Sequence, residues 1–362
     1  MKAVITCGGT GGHITPALAI ADIILENDPR AQMLFVGGTR GMEGEILSRA
    51  GYDVRLLDVR GFSRKLSFSS LKALYSTHRG VKEAKKILGE FAPDIVIGTG
   101  GYACYSALRA ASEMGIPAAV HESNAAPGLA VRMLARRLDR VWLNFEEARA
   151  LLPRESRVEV VGNPLPRGYT APVPVALPKG TKKMILSFGG SLGASELNRA
   201  ALSLMAEVAK HPEIYYLHAA GKREYEQTHA AFLSRGLDAY PNLSLLPYIS
   251  PMPRYMAAAD LVICRAGAMS VCEVAALGRP AILVPSPNVT GDHQHKNAAA
   301  PAARGAAVLL PERELSRLSG EVFSLLADEK RRREMGERIR EFYHPQANAQ
   351  IWRDIKQLVK KR

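Results

Sequence analysis

Short apolar runs recur along this chain. Each is closed by a glycine-rich or polar turn, and each is followed by a stretch whose apolar positions repeat at helical spacing. In the first half the runs predict strands at Lys2–Thr6, Ala31–Val36, Val54–Val59, Asp94–Ile97, Pro117–Val120 and Arg140–Leu143. Helices are expected between them, among them Ala103–Met114 and Leu129–Leu138. Val158–Val161 is a further apolar run, and the proline-rich stretch from Gly162 to Pro178 then reads as a linker. The alternation resumes with strands at Lys183–Ser187, Ile214–His218, Leu243–Leu246, Leu261–Cys264, Ala281–Val284 and Ala307–Leu310. Helices at Arg313–Leu326, Lys330–Phe342 and Ala347–Val359 close the chain. Strands alternating with helices predict an α/β fold with parallel sheets, roughly six strands in the first of them. Two halves that begin alike suggest two Rossmann-like, doubly wound domains. Their expected limits are 1–163 and 164–344, with the terminal helix 345–362 packing back on the first.

The turns carry the candidate chemistry. Cys7–His13, CGGTGGH, follows the first strand at once, and Thr15 can cap the next helix with Pro16 at its first position. Gly98–Tyr102, GTGGY, follows the fourth strand, and His121–Asn124, HESN, the fifth. In the second half FGGSLGASELN repeats the strand, glycine loop and helix arrangement. There the Ser191 hydroxyl can donate to a phosphate oxygen beside the bare backbone of Gly189 and Gly190. RAGAMSVCE, Arg265–Glu273, feeds a small-residue turn into a helix N-terminus, where free N–H groups and a positive partial charge suit a phosphate. Glu273, in the first turns of that helix, can accept hydrogen bonds from the two hydroxyls of a ribose. The G-G-T-G-G-H loop is not the spaced dinucleotide fingerprint, which argues against a nicotinamide cofactor. A helix-capping or solvent-exposed histidine remains a competing reading of His13, and a ligand-free βα turn of each glycine loop.

Composition narrows the partners. The 362 residues are 47% hydrophobic and carry a net charge of +13, with no run of 18 or more apolar residues. The charge excess fits a polyanionic partner, and no nucleic-acid module is legible. Glycines interrupt the first apolar run by Gly8, so no signal peptide is expected. Cys7, Cys104, Cys264 and Cys272 lie in apolar contexts without a C-x-x-C pair and read as reduced core residues. Between Gly61 and Leu88, Arg64, Lys65, Lys72, Arg79, Lys82, Lys85 and Lys86 interleave with Leu66, Phe68, Leu71, Leu74 and Tyr75. Such a segment can lie on an anionic leaflet, or it can be a helix with a solvated basic side. Asp292, His293 and His295 lack a third and fourth ligand at metal-site spacing.

Taken in order, GGTGGH, GTGGY, HESN, GNP, GGSLGA, RAGAMSVCE and DHQHKNA resemble the MurG family of GT-B glycosyltransferases across nearly the whole chain. The resemblance implies two Rossmann-like domains facing a cleft. The implied reaction is inverting transfer of N-acetylglucosamine from UDP-N-acetylglucosamine to the C4 hydroxyl of the N-acetylmuramoyl-pentapeptide of lipid I, giving lipid II for peptidoglycan. It places His13 at the transfer site as the base. Donor contacts fall on Thr10, Gly11, Gly12, Asn124, Arg167, Ser191, Ile249, Ala268, Met269, Ser270, Val271, Cys272, Glu273 and Gln294. Gly100, Gly101, Tyr102, His121 and Glu122 would shape the acceptor side, and Arg64, Lys65, Phe68, Leu71, Lys72 and Tyr75 would meet the membrane. In GNPLPR, Arg167 stands later than the arginine of the family pattern, and a surface arginine is the competing reading. Helix N-termini can take the charge of the leaving UDP, so no metal or other cofactor is required by the chemistry. Expected partners are UDP-N-acetylglucosamine, lipid I and anionic lipids, not nucleic acid, at the cytoplasmic face of the cell membrane. Alternatives are another GT-B UDP-sugar transferase, a UDP-N-acetylglucosamine 2-epimerase, and a non-catalytic membrane-bound scaffold.

Overall fold

The computed structural model describes residues 1–8, 11–59, 68–289 and 292–360. Two compact units emerge, one of Met1–Pro166 with His344–Arg362, the other of Arg167–Tyr343.

The first unit runs β1 (Lys2–Thr6), α1 (Gly11–Asn27), β2 (Gln32–Gly38), α2 (Glu43–Arg49), β3 (Asp53–Leu57), α3 (Phe68–Phe91), β4 (Ile95–Gly98), α4 (Tyr102–Glu113), β5 (Ala118–Glu122), α5 (Leu129–Leu134), β6 (Arg140–Leu143) and β7 (Val158–Val160). Its seven strands are all parallel, in the order β3-β2-β1-β4-β5-β6-β7. Strands buried on both faces need apolar residues at every position, which is why Ala3, Val4, Ile5, Ile95, Val96 and Ile97 form unbroken runs.

The second unit runs β8 (Lys183–Phe188), α6 (Ser195–Val208), β9 (Ile214–Ala219), α7 (Tyr225–Ser234), β10 (Leu243–Leu246), α8 (Met252–Ala258), β11 (Leu261–Arg265), α9 (Ala268–Leu277), β12 (Ala281–Val284), α10 (His293–Ala303), β13 (Val308–Leu309), α11 (Leu318–Ala327) and α12 (Glu329–Ile339). Its six parallel strands take the order β10-β9-β8-β11-β12-β13. Both sheets therefore share the doubly wound pattern, in which the strand order reverses once. A crevice opens at the carboxyl ends of the strands flanking that reversal. In the first unit these strands are β1 and β4, in the second β8 and β11.

The last helix, α13 (Ala347–Lys360), belongs to the first unit and packs on α1. Ile351, Ile355 and Leu358 enter the core with Ile14, Ile20 and Ile24, and Trp142 Nε1 donates to Asp354 at 2.7 Å. The helices α3, α4 and α5 cover the opposite face of the sheet.

Three local expectations change. Helix α1 begins at Gly11, so Pro16 lies inside it and not at its first position. The glycine stretch itself takes the first turn, where the Thr99 hydroxyl donates to the His13 carbonyl at 2.7 Å. The first sheet gains a seventh strand from Val158–Val160, whose apolar run pairs with β6. Strand β5 also runs on through His121 and Glu122, because His121 pairs with Trp142 and Glu122 with Leu143. Those two residues are rungs of the ladder, not a loop beyond it. All four cysteines are buried, and none forms a disulfide. Among the described residues no helix is long and apolar enough to cross a membrane.

Candidate functional site

At the strand reversal of the first unit, two glycine loops close on one histidine. His13 Nδ1 lies 2.7 Å from the Gly8 carbonyl, an oxygen that can only accept. Nδ1 therefore carries a proton, and Nε2 is the ring nitrogen left to act as a base. The loop after β4 lies against this imidazole. Gly100 has φ +108, and a Cβ there would meet His13 Cδ2 at 2.7 Å and Nε2 at 2.8 Å. Only glycine fits, for lack of space and for its left-handed backbone. The structure thus brings together Gly100, Gly101, the start of α4 at Tyr102, and His13. The ring of Tyr102 is 48% exposed.

Behind this loop pair, β5 ends in polar groups that the fold itself uses. His121 is fully buried, its Nε2 2.9 Å from the Gly162 carbonyl and its Nδ1 3.4 Å from Ser123 Oγ. Burial lowers its pKa to about 4, so the ring is neutral and presents no face to a ligand. The Glu122 carboxylate accepts from Asn124 N and Nδ2, both at 3.0 Å, and from Gly128 N at 2.8 Å. Glu122 thereby shapes the 123–128 loop and orients Asn124.

The second unit repeats the arrangement after β8 and β11. The loop after β8 leaves Gly190 and Ser191 exposed. Within it Gly193 N donates to Gly190 O at 3.1 Å, and it is seated on the loop after β9, where Lys222 N donates to Ser191 O at 3.1 Å. Gly221, with φ +84, lies so close to the Gly193 backbone that a side chain there is excluded.

A buried polar chain ties this seat to the sheet. Asn198 Nδ2 donates to the Ala220 carbonyl at 2.9 Å and to Thr228 Oγ1 at 3.2 Å, which fixes its Oδ1 as the acceptor facing His218 Nε2 at 3.0 Å. His218 must then hold its proton on Nε2 and accept at Nδ1 from Ser187 Oγ, 2.7 Å away. Burial lowers the His218 pKa to about 4, in keeping with a neutral ring.

Helix α9 starts directly after β11, with Gly267 at its N-cap and no acidic residue in its first turn. Arg265 does not reach toward that terminus. It is buried and held by Glu312 and by the carbonyls of Val284 and Pro285. Asn297 Nδ2 donates to the Ala266 carbonyl at 3.2 Å and steadies the turn. Glu273 is half-buried on α9, beside Tyr169. Burial pushes the Glu273 carboxyl up to about 7, and the neighbouring Tyr169 works against that rise. Gln294 Oε1 accepts from Ser286 N at 2.8 Å, which leaves its amide as the group it can offer. Ile249 is buried in the turn between β10 and α8, beside the half-exposed Tyr248.

Of the other sequence candidates, Thr10, Arg64 and Lys65 lie outside the described residues. Gly11 opens α1 with Gly12 beside it, and Phe68, Leu71, Lys72 and Tyr75 lie along α3. The backbone of Arg167 starts a 3-10 turn, Arg167–Tyr169, packed on α8 and α9. Sequence reasoning missed Tyr169, Thr99, Asn198 and His218. A tyrosine in a proline-rich linker gives no periodic signal. Asn198 alone had one, as a polar residue on the apolar stripe of α6.

Comparison with known proteins adds an independent line. The glycosyltransferase family 28 N-terminal domain matches residues 3–143, and the glycosyltransferase family 28 C-terminal domain matches residues 184–351. A relative in Acetivibrio thermocellus, 39% identical over 99% of each chain, is the UDP-N-acetylglucosamine–N-acetylmuramyl-(pentapeptide) pyrophosphoryl-undecaprenol N-acetylglucosamine transferase of that organism. A Bacillus subtilis protein of the same name is 37% identical, over 99% of this chain and all of its own. Among solved structures, Acinetobacter baumannii MurG superposes with a TM-score of 0.74 at 29% identity, covering 99% of this chain and 100% of that one. The UDP-GlcNAc 2-epimerase of Neisseria meningitidis, at 15% identity and a TM-score of 0.66, covers 99% of this chain and 100% of that one and shares the fold.

Proposed function

The chain belongs to glycosyltransferase family 28, and from that premise we propose that it moves N-acetylglucosamine from UDP-N-acetylglucosamine to the C4 hydroxyl of the N-acetylmuramoyl-pentapeptide of lipid I, producing lipid II. The carrying observation is the end-to-end likeness, at 39% identity, to a transferase named for this donor and acceptor.

The chemistry divides between the two units. The second takes the donor. The glycine loop with Ser191 and the N-terminus of α9 supply N–H groups and a positive partial charge to the diphosphate, which gains negative charge as the sugar leaves. Glu273 receives the ribose hydroxyls, the backbone at Ile249 meets the uracil, and Gln294 offers its amide to a sugar hydroxyl. The first unit takes the acceptor. His13 Nε2 accepts the proton of the attacking hydroxyl, with Nδ1–H anchored on Gly8 so that the ring presents the correct nitrogen. Attack comes from the face opposite UDP, so the anomeric configuration inverts.

The acceptor is a lipid, and the face of α3, α4 and α5 suits a membrane. Arg79 and Lys82 on α3 are exposed, and α5 presents Leu129 and Met133, 50% and 47% exposed, beside Arg132 and the following Arg136. Apolar side chains flanked by cations bind an anionic leaflet. The protein then acts as a peripheral enzyme of the cytoplasmic membrane face.

Incubation of the purified protein with UDP-N-acetylglucosamine, with and without lipid I, tests the proposal. Formation of lipid II and UDP only when lipid I is present is the expected result. Conversion of the UDP-sugar to its 2-epimer without acceptor, or no turnover in either case, would refute it.

A further inference from the structure

The donor reading leaves one well-placed side chain without a role. Tyr169 ends the turn Arg167–Tyr169, its ring 6% exposed between α8 and α9. The turn is seated on α8, where a Cβ on Gly168 would meet Pro253 Cγ at 3.2 Å. The turn packs on α9, which carries Glu273, and places the phenol hydroxyl beside that carboxylate.

A glutamate has three side-chain torsions to freeze before it can grip a ligand, and each costs entropy on binding. A carboxylate also has about four lone-pair positions. One donor from the protein fixes its plane and leaves the remaining positions for two hydroxyls on adjacent carbons. Tyr169 is buried and fixed by the packing of its own ring, so it can impose an orientation that solvent could not. Both burial and the neighbouring carboxylate raise the phenol's own pKa, which keeps the proton that it donates.

We infer that Tyr169 is a positioning residue of the donor site. Its hydroxyl holds the Glu273 carboxylate in the orientation that receives the vicinal diol of a ribose, and so selects ribonucleoside over deoxyribonucleoside diphosphates. The inference rests on Glu273 being the ribose ligand.

Calorimetric titration with UDP and with 2′,3′-dideoxy-UDP tests it, on the wild type, Tyr169→Phe, Glu273→Gln and the double variant. Phenylalanine keeps the ring and its packing, and a thermal melt confirms that the variants fold. Tyr169→Phe is expected to weaken UDP about five- to tenfold, the worth of one hydrogen bond to a charged group made only partly competent. It should leave dideoxy-UDP unchanged, and the double variant should bind UDP no more weakly than Glu273→Gln alone. An equal loss for both nucleotides would mean a merely structural role and would overturn the inference. So would wild-type UDP affinity in Tyr169→Phe while Glu273→Gln is impaired, with the ribose reading left standing. Wild-type UDP affinity in Glu273→Gln would bring down the ribose reading and this inference together.

Discussion

His13 has one nitrogen assigned by its surroundings. The Gly8 carbonyl holds Nδ1–H, and Gly100 passes so close to the other edge of the ring that no side chain is tolerated there. If Nε2 is the base, His13→Ala should lower turnover by roughly 10²–10⁴-fold, the usual worth of a well-placed base. Gly100→Ala, which must push the ring or the loop aside, should lower it by about 10²-fold. Both should leave UDP affinity largely unchanged, because the groups proposed for the uridine, Ile249 and Glu273, lie in the other unit. A loss of UDP affinity parallel to the loss of turnover would contradict this division.

With Glu273 as the proposed ribose ligand, donor binding gains a pH dependence. The Glu273 carboxyl is raised from 4.5 to about 7, so a fraction is protonated near neutrality, and a protonated acid is a poorer acceptor for two hydroxyls. UDP affinity should rise with pH through about 7 and flatten in Glu273→Gln. Stability runs the other way. The folded chain holds this proton more tightly than the unfolded chain, so the group's stabilising contribution is full below the ordinary carboxyl range. It is lost as pH rises toward 7. The role proposed for His13 came from the family resemblance, and that proposed for Glu273 from its place in the first turns of a helix that follows a small-residue turn. The roles of Tyr169 and Thr99 were not legible, because each acts by a contact between segments far apart in sequence.

At the level of elements, the strands were the most legible part of the chain. A parallel strand buried on both faces is an apolar run ended by a turn, and β1, β6, β10 and β12 match the expected limits residue for residue. Ends were less legible where a polar residue continued a ladder, as at His121 and Glu122, or where glycine entered a helix, as at Gly11. Neither pairing nor helix entry is encoded in hydropathy.

The terminal helix was visible as a periodic stretch, but its anchor was not. Trp142 on β6 and Asp354 on α13 are 212 residues apart in sequence, and Arg140 Nε stands 3.4 Å from the same carboxylate. Asp354→Ala would leave the indole N–H buried and without its acceptor. The expected cost is about 1–3 kcal/mol, read as a lowered urea midpoint with an unchanged slope. An unchanged midpoint would show that water replaces the carboxylate.

At the scale of the whole molecule, the +13 net charge matters most. Part of the basic run on α3 is consumed by the fold, since Lys85 pairs with Glu113 at 2.8 Å and Lys86 stands 3.9 Å from Glu90. Arg79 and Lys82 remain exposed on the same helix, and Arg132 flanks the exposed Leu129 and Met133, with Arg136 nearby paired to Glu155 at 3.0 Å. A cation near an anionic leaflet contributes about 1 kcal/mol, and ordinary salt screens it over a Debye length of about 8 Å. Two predictions separate this docking from a merely solvated surface. The protein should co-sediment with phosphatidylglycerol vesicles but not phosphatidylcholine vesicles, and less so as salt rises. The pair Lys82→Glu and Arg132→Glu should weaken sedimentation by more than about tenfold while UDP binding stays as it was. Turnover of lipid I in vesicles should fall with it, whereas a detergent-dispersed acceptor should be used as before, because only delivery to the surface has been removed. Equal sedimentation of wild type and variant would place the membrane contact elsewhere and leave Lys82 and Arg132 to solvent.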